Sequence, residues 1–129
     1  MMVDESIVKS FELASERAGD ITVQVYEAYF ERCPESRELM KLVDQHMRGR
    51  MLESVLLLLM GDTDGERDYI RFETTSHRSY GVLPHMYENL LAAVHETVRR
   101  ALGADWTSAM EAAWSARIDG ILGEIRAVA

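Results

Sequence analysis

Cysteine is nearly missing. Cys33 is the single one in 129 residues, so no internal disulfide can form, and no Cys-x-x-Cys pair is present for zinc or redox work. Cys33 itself reads as a small buried residue. Long hydrophobic runs are missing too. Nothing reaches the roughly 18 consecutive apolar residues of a membrane span, and VLLLLM at 55–60 is short and flanked by charge. The N-terminal MMVDESIVKS lacks the basic-then-apolar order of a secretion signal, and a cytoplasmic location is the expectation. Basic residues are outnumbered, 14 Lys and Arg against 22 Asp and Glu, for a formal net charge of −8. That argues against nucleic acid and anionic membrane as partners, since both attract a basic surface. Strand-type alternation, internal repeats and low-complexity linkers are absent, and there are only two prolines, Pro34 and Pro84.

What remains is helical periodicity, with enough apolar material for one core over a single domain, 1–129. A first helix is expected over 4–18, with Ile7, Phe11 and Ala14 on one face and Gly19 as its stop. Asp20 is a candidate N-cap for a second, whose stripe is Thr22, Tyr26, Tyr29, Phe30 and Cys33. Pro34 opens a short turn of helix to about Met40. A helix over 44–60 carries Val43, Met47, Met51, Val55, Leu58 and Leu59 inward, with His46 and Arg50 on a stripe rotated by about 100°. After the GDTDGE loop, 67–79 is only weakly amphipathic. Pro84 sits in the first turn of the next helix, whose buried face is Tyr87, Leu90, Leu91, Val94, Val98 and Leu102. Ser108 and Glu111 have capping-box spacing at the start of the last, where Met110, Trp114, Ile118, Ile121 and Ile125 point inward.

The weak segment, 67–79, contains His77. A helix with so little to bury needs a reason to stay docked, and a ligand held by His77 would supply one. The other histidines, His46, His85 and His95, include two with nothing beyond an ordinary surface or core reading, His85 and His95. No Glu-x-x-His occurs, which argues against a di-iron bundle.

Three stretches together resemble the globin family, in particular bacterial single-domain globins and the globin domain of flavohaemoglobins. They are VYEAYFERCPESRELM at 25–40, SHRSYGVLPHMYENL at 76–90 and ALGADWTSAMEAAW at 101–114. A tyrosine-bearing helix leads to a proline turn. A His is followed by Gly-Val and then by a tyrosine in the next helix. Leu-Gly precedes the last helix, which contains Ala-Trp. The resemblance implies an all-α globin fold of about seven to eight helices around haem b. No Cys-x-x-Cys-His is present, so the haem would be held non-covalently.

The resemblance further implies His77 as the proximal iron ligand, Tyr87 on the proximal side, and Tyr26 as a distal hydroxyl that hydrogen-bonds bound ligand. It puts Met40 where the family usually has a phenylalanine flat on the haem. It puts Met47 at the distal position, where Gln or His is usual. Met51 follows Met47 on the same inward stripe. Met47 is a candidate sixth ligand; a one-residue shift of register would offer His46 instead. Arg50, near the expected haem edge, would pair with a propionate. Glu73, four residues before His77, could accept from the imidazole nitrogen that does not face iron and push electron density towards the metal.

The expected function is binding of dioxygen or another diatomic gas, for storage, scavenging or redox use, by a monomer or homodimer. No flavin or nicotinamide module lies within the 129 residues. Nitric oxide dioxygenase or peroxidase-like turnover would therefore need an external reductase. The alternative is a haem-free sensor or protein-interaction module on the same fold.

Overall fold

Glycines, first-turn prolines and a few short polar side chains mark many of the helix ends in the computed structural model, which describes residues 5–129. Among them are seven α-helices, one 3₁₀ turn and no strand, as the periodicity predicts. The helices are α1 (Glu5–Ala18), α2 (Thr22–Arg32), α3 (Pro34–Leu39), α4 (Gln45–Leu59), α5 (Glu66–Arg78), α6 (Pro84–Leu102) and α7 (Ser108–Val128). The expected start of the first helix at residue 4 lies outside the described residues. None of the described helices is long and apolar enough to cross a membrane.

Gly19 ends α1 at φ +64°, where a side chain would be strained. The Asp20 carboxylate accepts from the Thr22 amide at 2.9 Å and its hydroxyl at 2.6 Å, although Ile21 is the capping residue by backbone conformation. Asp44 caps α4 by accepting from the Met47 amide at 2.8 Å. At α7 the cap is Thr107, accepting from the Met110 amide at 3.1 Å, one residue earlier than the expected Ser108. Both prolines take the first-turn position that costs no hydrogen bond.

The core joins α1, α2, α6 and α7. Trp114 is fully buried at its centre, and its indole N–H donates to Ser10 Oγ at 2.9 Å. Ser10 in turn donates to the Ile7 carbonyl at 2.6 Å, so the buried polar atoms are satisfied in series. His95 stacks on Trp114 with ring centroids 5.3 Å apart, a packing role in keeping with its ordinary reading.

Helix α5 buries only Ile70 and Thr74 because most of its residues are polar; its few apolar residues do keep to one face, which corrects the expectation of weak amphipathicity. Its attachment is ionic and runs to α7. Glu124 receives Arg71 at 3.1 Å and Arg67 at 3.3 Å. Arg117, on α7, forms a fork with Glu66 in the first turn of α5, one arm at 2.9 Å. The same guanidinium donates to the last carbonyls of α4, Leu58 at 2.5 Å and Leu59 at 3.3 Å. One side chain thus ties the end of α4 to the start of α5. Its side chain is only 11 % exposed. Arg117→Met should therefore lower the unfolding free energy by about 2–3 kcal/mol, by leaving Glu66 and the Leu59 carbonyl short of a donor. Urea denaturation reads this; a loss below about 0.5 kcal/mol would place the pair with ordinary surface ion pairs.

Candidate functional site

A cavity of about 470 Å³ lies between α4 and α5, and every helix but α1 contributes to its wall. The wall is mainly aliphatic: Val43, Val55, Leu58, Ile70, Val82, Leu90, Leu91, Ile121 and Ile125, with Met40, Met51 and Met86. All five tyrosines of the sequence stand in it. Size and lining suit a mostly apolar prosthetic group or ligand held by a few polar atoms.

Of the four histidines, His77 alone lines this cavity. It is the penultimate residue of α5, and its Nδ1 lies 2.7 Å from the Glu73 carbonyl oxygen. A carbonyl can only accept, so Nδ1 carries the proton and Nε2 carries the lone pair. The Glu73 carboxylate stands 3.4 Å from the same Nδ1. Glu73 therefore serves His77 first through its main chain and second through its side chain, whereas the sequence suggested the side chain alone. The Tyr87 ring meets the imidazole edge-on, centroids 6.5 Å apart at 86°. The Tyr87 hydroxyl is buried and has no hydrogen-bond partner among the described residues. An orphaned phenol beside an imidazole with an uncommitted Nε2, in an apolar wall, fits a haem with its proximal ligand on α5.

Tyr26 lies opposite, on α2. Its hydroxyl donates to the Arg48 carbonyl at 3.3 Å, long for an O–H donor. The Arg48 guanidinium covers the rings of Phe30 at 5.0 Å and Tyr26 at 5.7 Å and donates to the Met40 carbonyl at 3.1 Å. Its Nε is buried without a partner. Arg48 is the residue that sequence reasoning missed. Its signal was there: three residues separate it from Met51, so the two share a face of α4.

Met40, Met51, Tyr26, His77 and Tyr87 are thus brought to one cavity, while three expected residues are not. Met47 is 49 % exposed and does not line the cavity, which corrects the expectation that it faces inward. Met47 and Met51 do share a stripe, but Met47 is one turn, about 5.4 Å, nearer the helix start. Leu42, in the loop before α4, is more exposed still, at 92 %. Periodicity fixes the angle of a side chain about its helix and not its depth along it. His46 and Arg50 are corrected as well. They line a separate groove of about 530 Å³ with Asp20, Thr22, Gly49 and Glu53, outside the cavity that holds His77. A sixth-ligand role for Met47 or His46, and a propionate contact for Arg50, have no geometric support.

The model of the family described as Globin matches residues 54–125, the stretch that includes most of the cavity wall and His77. No curated protein matches the chain.

Three of the phenols are shifted in the same direction. Tyr26, Tyr29 and Tyr87 are each pushed up to about 12, chiefly because burial disfavours the phenolate. In the unfolded chain they begin to ionise near pH 10. Between about pH 10 and 12 the native state binds more protons than the unfolded one, so stability falls as pH rises through that window and is indifferent to these groups below it. Urea midpoints measured from pH 8 to 11.5 should be flat and then decline beyond about pH 10. In Tyr87→Phe the decline should be shallower. At neutral pH that variant should be no less stable than the parent, because it removes a buried hydroxyl with no partner. An identical decline would show that Tyr87 does not contribute.

Proposed function

The chain belongs to the globin family, and on that premise we propose that the cavity between α4 and α5 binds haem b through His77 and serves dioxygen or another diatomic ligand. The observation that carries this reading is the His77 tautomer: Nδ1–H is committed to the Glu73 carbonyl at 2.7 Å, which leaves the Nε2 lone pair for a metal. Bound there, haem would supply an iron able to coordinate a diatomic gas.

The chain's own residues do the rest. Glu73 fixes the imidazole plane through its carbonyl, and its carboxylate adds negative charge 3.4 Å from Nδ1, which favours the oxidised metal. Tyr87 packs edge-on against the imidazole and sets its place in the aliphatic wall. Tyr26 holds its hydroxyl only by the long contact to Arg48, so it can turn to donate to a ligand that carries partial negative charge. Met51 and Val55 shape the apolar space around that ligand, and Met40 closes it where α3 ends. Redox turnover, including nitric oxide dioxygenation, would draw electrons from an external reductase.

His77→Gly tests ligation. It should bind haemin about a hundredfold or more weakly, and added imidazole should restore the parent Soret spectrum. An unaltered spectrum without imidazole would place the iron ligand elsewhere. Tyr26→Phe tests the ligand-facing hydroxyl. A lost charge-assisted hydrogen bond should raise the dioxygen dissociation rate about ten- to a hundredfold. If stopped-flow displacement shows the same rate, the hydroxyl stays on the Arg48 carbonyl.

A further inference from the structure

Cys33, Glu35 and His85 lie outside the lining of the cavity that holds His77, where the start of α3 meets the start of α6. One potential ligand atom from each lies within 4.8 Å of the other two. The residues come from two segments, CPE at 33–35 and PH at 84–85, each stiffened by a proline in the first helical turn. Glu35 Oε1 and His85 Nε2 are 2.6 Å apart, on side chains 53 % and 48 % exposed. Cys33, by contrast, is buried.

We propose that these three residues bind a divalent cation of the zinc class, with Cys33 Sγ, a Glu35 carboxylate oxygen and His85 Nε2 as ligands and water in the fourth position. The donor set of one sulfur, one nitrogen and one oxygen is a zinc set. Tetrahedral bonds of about 2.3 Å to sulfur and about 2.0–2.1 Å to nitrogen and oxygen put the ligand atoms roughly 3.4–3.6 Å apart. The pair at 2.6 Å must open and the pairs out to 4.8 Å must close, each by about 1 Å. The two exposed side chains can make that adjustment, while Cys33 stays fixed. Thiolate and carboxylate together balance the charge of the cation, and the thiol proton leaves to solvent as the metal binds.

Cys33 Sγ has a hydroxyl donor beside it. Ser36 Oγ, itself buried, donates to Cys33 Sγ at 3.3 Å, and Tyr29 Oη lies 2.7 Å from Ser36 Oγ and can supply it in turn. A hydroxyl aimed at the sulfur is the outer-sphere support a metal thiolate uses. Tyr29 also lines the haem cavity, so a hydrogen-bonded chain of two hydroxyls connects the metal position to the cavity wall. The site does not depend on haem being bound.

The test is zinc chloride added to the full-length chain after treatment with a strong chelator, read in two ways. Competition against a chromophoric chelator should give one zinc per chain. Zinc-edge X-ray absorption should show one sulfur at about 2.3 Å and lighter ligands at about 2.0–2.1 Å. Cys33 is the sole thiol, so that sulfur distance identifies it, and Cys33→Ser should abolish it. Glu35→Gln and His85→Ala alter exposed residues that the fold does not need, and each should weaken binding about tenfold or more. His77→Gly should bind zinc as the parent does. No bound zinc, a shell without sulfur, unchanged affinity in His85→Ala, or loss of zinc in His77→Gly would each overturn the proposal.

Discussion

The hydrogen bond from His77 Nδ1 to the Glu73 carbonyl is the contact on which the functional reading depends. It spans one turn within α5 and uses the second lone pair of a carbonyl whose first is directed along the helix, four residues before the histidine. It therefore removes nothing from the helix and fixes the ring twice over, in tautomer and in orientation. A histidine free to rotate would present either nitrogen, and the cavity would have no defined axis.

That contact is useful only while α5 stays beside α4, and α5 has little hydrophobic reason to do so. The fold answers with charge. Arg117 gathers the end of α4 and the start of α5 onto α7, and Glu124 receives two further arginines from α5. A bound haem would add apolar contact from the inside, while α7 anchors the helix from the outside. Both the cofactor and the ionic anchor thus compensate for a segment that buries only Ile70 and Thr74.

The helices were readable because several boundaries have a local cause: Gly19 at a positive φ, Asp44 as a cap, two prolines in first turns. His77, Tyr26, Tyr87, Met40 and Met51 were readable as a group from the spacing of the resemblance, and they do share one cavity. Met47 was misread because an apolar stripe says nothing about where along a helix the covering neighbour stops. Arg48 was missed for the opposite reason. A charged residue beside Met47 reads as solvated, yet its guanidinium covers Phe30 and Tyr26, behind the cavity wall that Tyr26 forms. The role of α7 in holding α5 was also invisible, since pairs such as Arg117 and Glu66 are far apart in sequence and nothing local connects them.

The central claim is that one haem enters this cavity and takes its axial nitrogen from α5. The most direct measurement is an absorption titration of the purified, haem-free protein with haemin, followed by reduction. The account predicts a sharp Soret band that saturates at one equivalent, with a ferrous spectrum typical of imidazole ligation that changes on adding carbon monoxide. A colourless protein whose added haemin keeps the broad spectrum of free haemin would contradict it and leave a haem-free helical module.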